Sequence, residues 1–401
     1  MSGQYSTKIL ASIGIAQGLT GPFFMIGLGM LFGISPLLAI KRGENKKTED
    51  FFKTCLLYSL IVCIIVVPLV QLSTFIIPMI GFEKDLVPPI QEYVFYFSFS
   101  LIPAFLYQGI REYLQSMEKV FVANVLSFLT AFLNLGLGYL FVFGKGPFPE
   151  MGILGLALSI NLIRLFTLIG VLIPCLPLFK GPLKIDWTFM KETFRLSVPL
   201  ALNVFLEVCA FCLVTVLVGV MGKVESAAHS IVLTVATITF MVPLGISHAT
   251  SVKVAEALGQ KSFQNIKHYS WVGLFMATGI MGISGICLYL FPSEIFSIFS
   301  EDKETFKLAS TIFMVAAFFQ LADGFQAALN GILRGLKMTK ECMIVTLISH
   351  WFIGLPLGYL LGFYFKWGPS GLWIGLATSL FTVGLLLFII FIKKMRKLDH
   401  R

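Results

Sequence analysis

The sequence predicts an all-α polytopic membrane protein, and three observations carry that prediction. Of its 401 residues 57% are hydrophobic and only 13% are charged, against about 25% charged in an ordinary soluble domain. The apolar residues come in runs of about 20 or more, long enough to cross a ~30 Å hydrocarbon core as helices. The basic residues collect between those runs. A soluble enzyme, a disordered chain and a disulfide scaffold are excluded. A β-barrel would alternate in segments of about ten residues, and no such alternation is present.

Eleven spans are expected, near residues 9–40, 52–80, 92–114, 120–143, 151–177, 196–221, 227–255, 269–292, 308–334, 342–364 and 370–392. The first, second and seventh exceed what the bilayer needs, so tilt or interfacial extension is expected there. Pro22, Pro36, Pro103, Pro199, Pro243 and Pro356 interrupt spans. Proline kinks a helix, but it is also tolerated inside bundles.

The loops alternate in basic content. One set, with the C-terminal tail, holds 21 Lys and Arg, and the opposite set holds 7. That bias places the basic loops and the C-terminus in the cytoplasm, in a multi-pass cell (inner) membrane protein. Eleven spans then put Met1 outside. The net charge of +9 is read as this topology, not as nucleic-acid binding. No cleavable signal peptide is expected, because Lys8 is the sole charge before a first run too long for a signal core. Seven cysteines are scattered in apolar runs, and Cys209-x-x-Cys212 reads as ordinary small helix residues.

The halves of the chain repeat. Ser35–Gly43 matches Ser251–Gly259 at an offset of 216, and Leu137–Leu140 matches Leu357–Leu360 at 220. Gly155–Ser159 matches Gly375–Ser379, again at 220. The expected architecture is two pseudo-symmetric six-helix bundles. Residues 1–180 form an N-terminal lobe with five helices of the six, and residues 181–401 form a C-terminal lobe with all six. The offset maps the span at 196–221 to a position before Met1, so eleven helices are expected of an ancestral twelve. Duplicated bundles of this kind place a substrate path at the repeat interface.

Two carboxylates fall deep inside spans. Glu207 lies 12 residues past Arg195, about 18 Å along a helix. Asp323 lies 11 residues before Arg334, about 16 Å. Both reach the bilayer midplane, where a bare carboxylate costs about 2.5 kcal/mol or more. Such a group faces a polar cavity, binds a cation, holds a proton, or makes a structural hydrogen bond. Asn203 and Thr215 share a helical stripe with Glu207, with Phe211 between them. Gln320, Gln326 and Asn330 share one with Asp323. Carboxylates with amide oxygens suit a monovalent cation or a proton relay, although Asn and Gln also simply join helices. Phe205, Phe211, Phe318 and Phe319 could line a site for flat apolar cations. His248 and His350 lie within spans and are expected to hydrogen-bond neighbours. His229 is expected at the outer interface. Arg164, mid-span, is expected to pair with a polar group of the first lobe. No spacing of His, Cys, Asp or Glu suggests a metal site, a resident cofactor or an enzyme.

These residues resemble the multidrug and toxic-compound extrusion (MATE) transporters, NorM-like branch. The resemblance rests on Pro199 with Glu207 in a span ending at Met221-Gly222, on Ala227-Ala-His-Ser-Ile231 and on Phe240-Met-Val-Pro-Leu-Gly-Ile246. It continues in Gln320-Leu-Ala-Asp323-Gly-Phe-Gln326 running into Leu333-Arg-Gly335, then Gly354-Leu-Pro-Leu-Gly-Tyr359 and Gly371-Leu-Trp-Ile-Gly375. It implies two six-helix lobes around a central cavity. It also implies export of amphipathic cationic compounds by antiport with Na+ or H+. The family's first helix usually carries a coupling aspartate, and the repeat arithmetic leaves that helix out of this chain. A monomer in the lipid bilayer is expected, with Glu207 and Asp323 as the cation-coupling pair. The other readings are a lipid-linked sugar flippase of the same superfamily, for which Arg164 is the one deep cation, and a non-transporting degenerate membrane protein.

Overall fold

The computed structural model describes residues 7–79, 85–144, 149, 151–180 and 184–399. Met1, Lys84 and Lys145, on which part of the topology reading rests, lie outside them. Helices run from α1 (Thr7–Leu31) and α2 (Ile34–Gly43) through α3 (Phe52–Ile76), α4 (Val87–Ser116), α5 (Phe121–Phe143) and α6 (Gly152–Leu172). They continue with α7 (Trp187–Met221), α8 (Lys223–Gly259), α9 (Phe263–Leu290), α10 (Pro292–Ser297) and α11 (Lys303–Gly335). The last three are α12 (Thr339–Leu347), α13 (Leu355–Tyr359) and α14 (Pro369–Asp399). Among the described residues there is no strand, and eleven helical stretches are long and apolar enough to cross a membrane. The eleven expected spans each have their helix.

The first span is not one straight rod. It breaks between Leu31 and Ile34. Pro36 carries no N–H for the Phe32 carbonyl four residues earlier. Gly33 sits where a Cβ would come within 2.2 Å of the Ser197 hydroxyl, so any side chain there would displace that hydroxyl. The span Thr339–Tyr364 is also irregular. Ile348–Gly354 and Leu360–Tyr364 are wound as wide π-type turns around α13. Pro356, at the start of α13, cannot donate to the preceding turn, and the extra residue per turn absorbs that gap.

By contact the chain forms two compact units, residues 1–38 with 47–201, and residues 39–46 with 202–401. In the first unit, Tyr58, Tyr93, Phe52, Phe105 and Phe189 are fully buried. Phe52 meets the edges of Tyr113 and Phe179 at 4.9 and 5.3 Å. The Tyr58 hydroxyl donates to the Met30 carbonyl at 2.9 Å. Lipid tails are as apolar as these side chains, so close packing and hydrogen bonds, not escape from water, hold the unit together. Phe75, Phe128, Phe132, Phe275 and Ile283 stay exposed, as a lipid-facing surface requires.

The second unit is built around α11, whose buried seam is small: Ala309, Ala316, Ala322, Gly324, Ala327, Ala328, Gly331 and Gly335. Across that seam the Ser247 hydroxyl donates to the Ala327 carbonyl at 2.6 Å, and Arg334 Nε donates to Ser251 Oγ at 3.1 Å. Gly354 and Gly358 of the irregular span meet Gly375 of α14 backbone to backbone, the small-on-small contact typical of membrane helices. Asp302 caps α11, accepting from the Thr305 amide at 3.1 Å and from the Thr305 hydroxyl. That hydroxyl holds the exposed Asp302 carboxyl below its usual range.

The duplication is written in the backbone. Asn45 and Lys261 both adopt positive φ, 58° and 56°, at the offset of 216, and Glu118 and Lys337 do so, 60° and 61°, at 219. Each is followed by an amide that reaches back five residues: Lys46 to Lys41, Ser262 to Ala257, Lys119 to Leu114 and Met338 to Leu333, at 2.8 to 3.0 Å. This left-handed helix cap satisfies carbonyls that the helix end orphans. The repeated glycines Gly43 and Gly259 meet within the second unit, where a Cβ on either would sit 3.0 Å from the other's Cα. Beside them Arg42 Nε and Nη2 donate to Glu256 Oε1 and Oε2 at 3.0 and 2.5 Å.

Candidate functional site

Helices α7 and α11 carry the two carboxylates near their middles, and both carboxylates lie in the second unit. One amide joins them. Gln326 Nε2 donates to Glu207 Oε1 at 3.0 Å and lies 3.4 Å from Asp323 Oδ1. Asn330, one turn on, donates through Nδ2 to Gln326 Oε1 at 2.8 Å and so orients that amide. The i, i+3, i+7 spacing of Asp323, Gln326 and Asn330 places all three on one face of α11. Asp323 is 6% exposed and Glu207 is half-buried.

Hard oxygen acceptors collect here. Two carboxylates share a single NH2 group. The carbonyl oxygens of Asn203 and Asn330 are buried with no hydrogen-bond partner among the described residues. Two carboxylates held by one amide repel each other when both are charged. A proton between them, or a monovalent cation among the oxygens, relieves the repulsion.

The remaining expected residues go to different places. Gln320 turns away from Asp323, donating to the Thr239 hydroxyl at 2.6 Å and lying 3.5 Å from Ser284 Oγ. Thr215 joins a second polar chain centred on His229, which is buried at 1% exposure. Trp373 Nε1 donates to His229 Nδ1 at 3.1 Å, so the ring proton sits on Nε2, which donates to Thr215 Oγ1 at 2.9 Å. Thr215 in turn donates to the Phe211 carbonyl at 3.1 Å. Phe211 and Phe319 meet edge to face at 6.0 Å, and Phe319 meets Trp373 at 5.4 Å. Phe211 and Phe319 therefore pack beside the His229 chain. His350 contacts the Thr346 carbonyl through Nδ1 at 3.2 Å.

Trp351 was not legible as part of this region. Its Nε1 donates to the Leu206 carbonyl at 3.2 Å, one residue before Glu207. The π-type turn at Ile348–Gly354 aims it there. The available signal was the indole N–H itself, which needs a partner wherever it is buried. Arg164 pairs, as its sequence position suggested, with a polar group of the first unit, Ser100 Oγ at 2.6 Å.

Comparison with known proteins agrees with this architecture. The MatE family profile matches residues 1–140 and 199–360. The "Probable multidrug resistance protein NorM" of Bacillus thuringiensis subsp. konkukian is 30% identical over 95% of this chain and 86% of its own length. The protein of the same name from Xylella fastidiosa (strain Temecula1) is 27% identical over 96% of this chain and 85% of its own. Among solved structures, the eukaryotic MATE transporter AtDTX14 superposes with a TM-score of 0.87 at 21% identity, covering 100% of this chain and 92% of its own. An outward-facing multidrug resistance MATE family transporter gives 0.90 at 16% identity, covering 100% and 90%. Those identities speak for the fold alone. The family profile together with NorM-named relatives along nearly the whole length settles the assignment: this multi-pass membrane protein belongs to the MatE family, in its NorM-like branch.

Proposed function

We propose that the chain is a secondary active exporter that expels amphipathic cationic compounds in exchange for Na+ or H+, with Glu207 and Asp323 as one coupling site. The observation that supports this most is the shared Gln326 amide between two deep carboxylates. An ion bound there neutralises the pair. A cationic substrate competes for the same charge, or meets helices α7 and α11 in a different arrangement. Coupling needs only that the ion favour one facing state over the other. A tenfold preference corresponds to about 1.4 kcal/mol, less than the cost of one bare midplane carboxylate. The ion is the one cofactor required. A monomer suffices, because both copies of the repeat lie in one chain.

The test is efflux of a fluorescent cationic dye from proteoliposomes holding the purified protein. Dye should leave when an inward Na+ or H+ gradient is imposed, and stop when the gradient is collapsed. Dye movement that ignores both gradients would refute the antiport reading.

The cytoplasmic C-terminus belongs to the same proposal. Lys393, Lys394, Arg396 and Lys397 crowd the end of α14, the flank that stays on the cytoplasmic side. A C-terminal reporter that fluoresces only in the cytoplasm of a bacterial host should be bright. A correctly inserted but dark fusion would reverse the orientation.

A further inference from the structure

We propose that α9 carries a binding site for an anionic phospholipid, with Lys267 and His268 at the headgroup and Trp271 above the acyl chains. The observation is an open groove of about 620 Å3 along the first half of α9. Gln264, Asn265, Lys267 and His268 line its polar end. All four side chains offer N–H donors to a phosphate, and Lys267 and His268 are exposed. No Asp or Glu stands anywhere in α9 to compete for them.

The order of side chains along the helix is that of a phospholipid. Trp271 lies one turn past Lys267, about 6 Å, and Phe275 lies two turns past it, about 12 Å. The indole is fixed in place. It stacks on Phe275 at 5.6 Å and meets Phe388 and Phe391 of α14 edge-on at 6.2 and 6.1 Å. An indole between a basic turn and an apolar ridge sits at the headgroup level of a bilayer. Val272, Phe275, Met276 and Ile283 continue that ridge and are exposed, a surface for acyl chains. Basic side chains at such an interface favour lipids with net negative charge. The ammonium of phosphatidylcholine offsets its own phosphate, whereas phosphatidylglycerol has no such group. The related turn of the first copy lacks this chemistry. At the repeat offset of 216, Lys267, His268 and Trp271 correspond to Phe51, Phe52 and Cys55, all three buried, and Asn265 corresponds to Glu49. The site therefore belongs to the second copy and is more than the basic bias of the loops.

The test is quenching of Trp271 fluorescence by lipids brominated in their acyl chains, with the purified protein in phosphatidylcholine vesicles. The signal of Trp271 is the wild type minus Trp271→Phe. Brominated phosphatidylglycerol should reach half-quenching at a mole fraction about fivefold lower than brominated phosphatidylcholine, the factor that one lysine supplies at a membrane surface. The double change Lys267→Gln with His268→Gln should make the two lipids equal. Both side chains are exposed, so the fold should survive. Lys340→Gln, an exposed lysine outside α9, should keep the preference, which separates a local site from the general surface charge. Inorganic phosphate in the aqueous phase should leave the quenching unchanged, and displacement of the lipid by it would reassign the groove to a free anion and overturn the proposal. Equal quenching by both lipids in the wild type, or a preference undiminished in the double variant, would also overturn it.

Discussion

Asp323→Asn is expected to lower gradient-driven dye efflux by more than about tenfold, a loss of at least about 1.4 kcal/mol of coupling, while the protein still folds and inserts. Asparagine keeps the shape of the side chain and can still accept from Gln326. It removes the charge, whose placement at midplane depth costs about 2.5 kcal/mol or more. The thermal midpoint of the variant in detergent should therefore hold steady or rise. That combination separates loss of function from loss of fold. Glu207→Gln should behave alike, because the same Gln326 amide touches it. Gln326→Leu should be more damaging to stability, since it leaves two acids buried without their shared donor. If Asp323→Asn transports at the parental rate, the coupling ion is held elsewhere.

The second large effect concerns packing. A Cβ on Gly375 would lie 2.5 Å from both the Gly354 carbonyl oxygen and the Gly358 Cα. Both are backbone atoms, so no rotamer change relieves the clash. Gly375→Ala should cost about 1–3 kcal/mol as an overpacked site, and Gly375→Leu should give no folded protein, out of a total stability of only about 5–15 kcal/mol. Gly136→Ala is the matched control, because nothing lies within 4 Å of its added methyl. Size-exclusion profiles and thermal midpoints of the three variants check this. A Gly375→Leu protein as stable as the wild type would mean that α14 does not pack closely on the irregular span.

The helix count was legible because the bilayer makes it cheap to read, and the two acids stood out as candidates for the same reason. A span must be about 20 apolar residues, and any carboxylate inside one stands out against that background. The repeat was legible from short matches such as Ser35–Gly43 with Ser251–Gly259. The backbone states it more plainly, in the paired positive-φ residues Asn45 with Lys261 and Glu118 with Lys337. Their identities differ, and so spacing alone could not show them.

What hydropathy could not show was register. It measures how long a run is, not where its turns widen. The break at Phe32–Gly33 and the π-type turns around Leu355–Tyr359 depend on Pro36, Pro356 and the neighbours they meet. The helical stripe drawn through Asn203, Glu207 and Thr215 joined residues that tertiary partners separate. Thr215 goes to His229, and Gln320 goes to Thr239. His229 looked peripheral because it begins a run. The indole of Trp373, 144 residues away, buries it.

Whether Glu207 and Asp323 hold the coupling ion as one site is decided by a double-mutant cycle. Dye affinity of the purified protein would be titrated against Na+ and against pH for the wild type, Glu207→Gln, Asp323→Asn and the double variant. One shared site predicts that either single change removes the ion dependence and that the second change adds nothing further. Two single variants that each keep half of the ion response, with effects that multiply in the double, would contradict it.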